Sequence, residues 1–265
     1  MEDVLTEIPP PSRFDQEDLN NFTPPSPLIP SPFLLFSNPK PKEPLRPFLL
    51  VVALSSPSLY IFHHLPSKAL VGSLILPEVP FSGNSIEPAL RDKSCNIYSI
   101  GDANNSILLV LAQCPVAAER SHIVAKLLIG EQIVPERLLV LDSIQRQNFR
   151  GRLSPDDTFA FKLESSSERK GLCDGPALKG LDYFPSGSVV EGLAAALLSR
   201  CEIRKIKGTL CVTWPEVGSS AVSLVKTILK NVLPSLDLSI RSGAENEHFR
   251  SGHIKDNLFD SELYT

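Results

Sequence analysis

The sequence predicts an α/β fold: a single three-layer α/β/α domain with a central mixed sheet over residues 48–234, flanked by N- and C-terminal arms expected to be disordered. Three observations carry that prediction. Short apolar runs bounded by turn residues recur from Phe48 onward. Helix-periodic segments alternate with them in the order strand, helix, strand. Prolines crowd the chain before residue 48, and polar residues dominate it after Pro234.

Residues 1–47 hold twelve of the 24 prolines, in runs such as PPSPLIPSP and NPKPKEPLRP. Without N–H donors such runs sustain neither a helix nor a central strand, so this stretch reads as an extended leader. Phe33, Leu34, Leu35 and Phe36 are its apolar handle on the body.

From there PFLLVVALSS, LYIFHHL and ALVGSLILP read as successive strands. SCNIYSIG and NNSILLVLAQC follow as a hairpin about the polar turn DANN, the second strand apolar enough to be covered on both faces. VAAERSHIVAKLLIG places Val116, Ile123, Leu127 and Leu128 at helical spacing, with Pro115 suited to the first turn and Gly130 to the stop. PERLLVLDS is a buried-type strand and TFAFKLE alternates, completing a crossover unit.

Residues 164–182 are polar and glycine-containing, a surface loop. PSGSVVEGLAAALLSRC is a helix with Ser186 or Ser188 as N-cap, and IRKIKGTLCVTWP is a strand. SSAVSLVKTILKNVL carries Val222, Val225, Ile228, Leu229 and Val232 on one helical stripe. Residues 235–265 are a flexible tail.

Composition narrows the function classes. A formal net charge of -4, with no Lys/Arg block interleaved with aromatics, argues against nucleic acid. The amino terminus MEDVLTEIPPP has neither a basic nor an apolar region of a secretory signal. The apolar stretch Phe48–Leu54 is far short of the roughly 20 residues a membrane span needs. Five cysteines without a CxxC read as reduced core thiols, which places a soluble chain in the cytoplasm, with the nucleus open to it.

Chemistry is sparse. His63 and His64, as neighbours in a strand, point to opposite faces and cannot share one ion. His122 follows Glu119 by three residues, without the second Glu/His pair of a di-metal bundle, and reads as solvated. No GxSxG, GxGxxG, Walker loop or HExxH occurs, so neither metal nor cofactor is expected. Asp142 and Ser143 end a buried strand, where α/β sheets build sites, so Ser143 with His122 and an acid is the enzyme alternative, either an α/β hydrolase or a nucleoside-phosphorylase-like domain. That alternative rests on fold analogy.

The tail closes on DSELYT. Leu263, the ring and hydroxyl of Tyr264, and a terminal carboxylate on Thr265 are three handles suited to a pocket with an apolar wall, a hydrogen-bond partner and a cation.

A hydrophobic residue, a tyrosine and any last residue resemble the C-terminal motif by which proteasome regulators and assembly chaperones enter pockets between α-subunits of the 20S ring. FLLVVALSSPSLYIFHHL, CPVAAERSHIVAKLLI, PERLLVLDSI, LSPDDTFAFKLESS and PSGSVVEGLAAALLSRCEIRKIKGTLCVTWPE resemble the proteasome assembly chaperone family, in a plant-type form given the Pro-rich leader. The resemblance implies a non-enzymatic subunit that forms a heterodimer with proteasome assembly chaperone 2. That pair would sit on the 20S α-subunits, promote α-ring assembly and prevent off-pathway ring dimerisation. It also implies that Leu263, Tyr264 and Thr265 occupy an inter-α-subunit pocket, the Thr265 carboxylate against a pocket lysine. A generic adaptor working through residues 1–47 is the third reading.

Overall fold

The computed structural model describes residues 29–37, 44–79, 94–101, 107–154, 156–170, 178, 180–234 and 236, and the fold is that of the unit Ser31–Thr265. Its elements are β1 (Phe33–Phe36), β2 (Leu49–Ala53), α1 (Ser56–His63), β3 (Ala69–Ile75), β4 (Cys95–Ile100), β5 (Ile107–Ala112) and α2 (Ala118–Leu128). Then come β6 (Arg137–Ser143), β7 (Phe159–Glu164), α3 (Ser166–Lys170), β8 (Asp182–Tyr183), α4 (Gly192–Arg204), β9 (Lys207–Trp214) and α5 (Ser219–Val232).

The strands form one mixed sheet in the order β1-β3-β4-β5-β2-β6-β9-β7-β8. Its centre, β5-β2-β6-β9, is parallel, and β4, β3 and β1 on one wing and β7 on the other run antiparallel to their inner neighbours. Strand alternation sends β2 into two cores. Leu50 and Val52 join Val110, Val140 and Leu210 under α2 and α4, while Leu49, Val51 and Ala53 join Leu109, Leu141 and Cys211 under α1 and α5. All five β2 residues are therefore buried, as a strand sandwiched between helical layers requires.

Several expectations change. LYIFHHL is helix, not strand. Pro57 sits in the first turn, where its missing N–H costs nothing, and Tyr60, Ile61 and Phe62 are all buried, so no polar face betrays the helical period. His63 and His64 end this helix, and the His64 Nδ1–H donates to the Tyr60 carbonyl at 2.8 Å. On α2 the buried stripe is Ser121, Val124, Ala125 and Leu128, whereas Ile123 is exposed. Helix α4 starts at Gly192 with Glu191 as N-cap, not at Ser186 or Ser188. The Ser188 hydroxyl instead accepts the Arg150 N–H at 2.8 Å.

The apolar handle Phe33–Phe36 of the leader is strand β1, paired antiparallel to β3, and Leu45 bridges to Ile133. Helix α3 occupies part of the predicted surface loop. It is anchored by Ser165, fully buried, whose hydroxyl donates to the Ile206 carbonyl and accepts the N–H groups of Gly208 and Glu168. Ser165→Ala leaves those backbone groups unpaired and is expected to cost about 2 kcal/mol in urea unfolding. An unchanged midpoint would remove Ser165 from the fold's supports.

Candidate functional site

Parallel strands that end side by side leave a crevice beyond their carboxyl ends, because the connections from neighbouring strands depart in opposite directions. Here β5, β2 and β6 end together, and a crevice of about 600 Å³ opens past them. Leu54 after β2, Ala112 to Cys114 after β5, and Asp142 and Gln145 from β6 form its floor. The first turns of α1 (Ser56, Leu59), α2 (Ala118) and α4 (Gly192 to Ala194) form its rim, with Glu191 beside them. A side chamber of about 20 Å³, room for one water, lies behind, lined by Ser143, Asn148, Phe184 and Val190 among others. Asp142, Gln145 and Glu191 line both spaces.

Asp142 is the electrostatic centre of this crevice. Burial raises its carboxyl from 3.8 to about 6, the Ser143 N–H donated to Oδ1 at 2.8 Å opposes that rise, and the charge of Glu216 adds to it. Gln145 is held in place by Asn148, whose Nδ2 donates to its Oε1 at 3.0 Å. The free Cys95 thiol, hydrogen-bonded to the Cys114 thiol and buried, titrates well above the ordinary range, and burial pushes Cys201 and Cys211 up to about 12. These sulfurs are thiols at neutral pH, poorly suited to nucleophilic attack.

The structure separates the residues of the enzyme alternative. Ser143 lines the side chamber with Asp142, but His122 lies on the exposed face of α2 and lines neither space. Among the described residues no group of three or more His, Cys, Asp or Glu could hold a metal ion. No helix among them is long and apolar enough to cross a membrane. Leu263, Tyr264 and Thr265 lie outside the described residues.

A second surface lies on the β1 wing. Leu34 and Phe36 pack into the core under α2, so alternation turns Phe33 and Leu35 to the opposite face, where they are 49% and 58% exposed. Their partners across the ladder are Ile75 and Ser73, and Leu70, opposite Tyr98, is 48% exposed on the same face. Helix α1 packs on β2, β5 and β6, and α5 on β9 and α1. The wing thus presents an apolar sheet face beside the helical layer, the kind of surface that suits a protein partner.

Glu191 and the exposed outer face of β1 escaped sequence reasoning, although Phe33 to Phe36 were read as a handle on the body. The signal for Glu191 was an acid directly before the Gly-Leu-Ala-Ala-Ala start of α4, the N-cap place. For the wing it was the FLLF run itself, whose alternation has no polar outward member.

No family model matches this chain, and no curated protein matches it. Solved structures do. Pyrococcus furiosus PbaA, an archaeal homolog of proteasome-assembly chaperone, superposes with a TM-score of 0.58 at 15% identity, over 85% of this chain and 98% of that one. P. furiosus PbaB, an archaeal proteasome activator, gives 0.56 at 12% identity over 84% and 96%. A Thermoplasma acidophilum protein of unknown function gives 0.52 at 18% identity over 82% and 85%. At these identities what the chain shares with all three is the fold.

Proposed function

We propose that this chain is a proteasome assembly chaperone subunit of the chaperone 1 type, a non-enzymatic scaffold of the cytoplasm, with the nucleus open to it. It pairs with proteasome assembly chaperone 2, binds the 20S α-subunits, promotes α-ring assembly and prevents off-pathway ring dimerisation. The observation that carries this reading is the fold shared with PbaA and PbaB, over at least 84% of this chain and 96% of theirs. The apolar wing face of Phe33, Leu35 and Leu70 is of the chemistry a subunit partner needs, and the segments quoted above for the family resemblance support the same reading.

In this proposal Leu263, Tyr264 and Thr265 are the anchor, seated between neighbouring α-subunits, and the polar residues before them are the tether. A tether must lose conformational freedom on docking, so each tail binds modestly and the assembly relies on several contacts together. The test is pull-down and affinity measurement against purified α-rings. Tyr264→Ala, or one residue added after Thr265, is expected to weaken ring binding about tenfold while melting temperature and pairing with the second chaperone stay unchanged. Wild-type affinity in both variants would refute the anchor. Failure of the wild-type chain to capture α-subunits or a second chaperone from extract would refute the assignment itself.

A further inference from the structure

Cys95 and Cys114 bring two free thiols into contact at one place in the fold. Cys95 opens β4 and lies opposite Ala112 of β5. Cys114 is two residues beyond Ala112, so strand alternation turns both cysteine side chains to the same face. Both are buried in the core under α2 and α4, and the two thiols are hydrogen-bonded to one another. The backbone beside them is fixed: the Gln113 N–H donates to the Ser94 carbonyl at 2.9 Å, and the Ser94 hydroxyl donates to Gln113 Oε1 at 2.7 Å. Cys211 points into the opposite core and Cys201 packs against Gly208, so neither shares this place.

The two sulfurs are not equivalent. Cys114 lines the crevice beyond β5, where a small solute can reach it, whereas Cys95 lines neither the crevice nor the side chamber. Cys95 is also the thiol that keeps its proton, because the hydrogen bond to Cys114, burial and the charge of Cys114 all favour its protonated form. Sulfurs already in hydrogen-bond contact have only the gap to the roughly 2 Å of an S–S bond left to close. We propose that Cys95 and Cys114 are a peroxide-responsive pair that closes to an intramolecular disulfide, stapling the start of β4 to the connection between β5 and α2. This pair is independent of the assembly reading, because the anchor residues of the tail play no part in it.

The chemistry balances with one hydrogen peroxide. Cys114 gives up its proton and its sulfur attacks one peroxide oxygen; an S–O bond forms, the O–O bond breaks, and the departing hydroxide takes that proton as the first water. The Cys95 sulfur then attacks Cys114 Sγ of the sulfenic acid; the S–S bond forms, the S–O bond breaks, and hydroxide leaves with the Cys95 proton as the second water. Two electrons pass from the sulfurs to the peroxide. The second step is intramolecular, so contact between the sulfurs offsets the weak nucleophilicity of a protonated thiol. The bond closes the open end of the β4–β5 pair and fixes the wall of the crevice formed by Cys114, Pro115 and Val116. A dithiol reductant reverses it.

The experiment treats the full chain, reduced and folded, with hydrogen peroxide, alkylates the remaining thiols with iodoacetamide, and digests without reductant for mass spectrometry. The expected product is a peptide pair joined through Cys95 and Cys114, lighter by two hydrogens than the separate peptides. The linked chain should melt about 5 °C higher, because the bond restrains the unfolded state, and dithiothreitol should return it to the starting value. Cys114→Ser should abolish the link. Cys95→Ser should leave Cys114 as a sulfenic acid that dimedone traps, which tells the attacking sulfur from the resolving one. The main readout is on the wild-type chain and does not depend on either variant folding. Both thiols spared by peroxide, Cys114 carried to sulfinic acid without a link, a link to a different cysteine, or a link that forms only in urea would overturn the proposal. An unchanged melting temperature in the linked chain would overturn the staple. Tyr264→Ala should oxidise as the wild type does, which separates failure of this pair from failure of the assembly reading.

Discussion

Gly208→Val should destabilise the protein by about 3 kcal/mol, the upper part of the range for forcing extra carbon into a packed core. Gly208 is the second residue of β9, where α4 crosses the sheet. A Cβ built there would lie 2.8 Å from Cys201 Sγ and 2.9 Å from Cys201 Cβ. Cys201 is fully buried in α4 and has nowhere to turn, so the helix itself must lift. The Gly208 N–H also donates to Ser165 Oγ at 2.9 Å, and its carbonyl accepts the Ser165 N–H at 2.8 Å, so movement of the strand is resisted as well. The remedy is specific. Adding Cys201→Gly should recover part of the loss despite the helical glycine, and a double-mutant cycle in urea would show coupling well beyond the ~0.5 kcal/mol expected of independent sites. Strict additivity would mean that the close approach of α4 to β9 is not what excludes a side chain.

Asp142→Asn should act in the opposite direction. A carboxyl that titrates at about 6 in the fold, against 3.8 without burial, opposes the folded state by about 2–3 kcal/mol at neutral pH. The folded state binds this proton more tightly than the unfolded chain does. Its stabilising effect is therefore complete below about pH 4 and lost as pH rises through 6. Asparagine keeps an oxygen for the Ser143 N–H and carries no charge at any pH. Unfolding midpoints taken from pH 4 to pH 8 should be nearly equal for the two proteins at the acid end and diverge by that amount at the alkaline end, with the variant more stable. Parallel curves would show that burial does not govern this carboxyl.

The sheet was legible in the sequence wherever an apolar run had an unambiguous length and turn residues on both sides. PFLLVVALSS, NNSILLVLAQC and PERLLVLDS became β2, β5 and β6, and β4 pairs antiparallel with β5, while the predicted turn DANN lies outside the described residues. Helix α5 was legible because Val222, Val225, Ile228 and Leu229 are buried on one side and Ser223, Thr227 and Lys230 are exposed on the other. Helix α1 was not, because burial around most of its surface erases the period that distinguishes a helix from a strand, and Pro57 after two serines was the remaining cue. The crevice was half legible. The end of β6 drew attention to Asp142 and Ser143, and the structure places Asp142 on both spaces and Ser143 on the smaller one. Glu191 lines the same crevice as Asp142 through a strand order set by long-range packing, which no local pattern records.

The same strand order bears on how the chain emerges from a ribosome. β2, LLVVA, is among the first sheet residues to be made, but its parallel neighbours β5 and β6 follow after Ile107 and Arg137, and β9, which flanks β6, is complete only at Trp214. A five-residue run destined for complete burial must therefore wait for most of the body to be translated. Parallel pairing across such separations is slow and leaves adhesive segments uncovered meanwhile. Synthesis rate and the company kept by the nascent chain thus become determinants of yield, with aggregation through β2 as the failure mode.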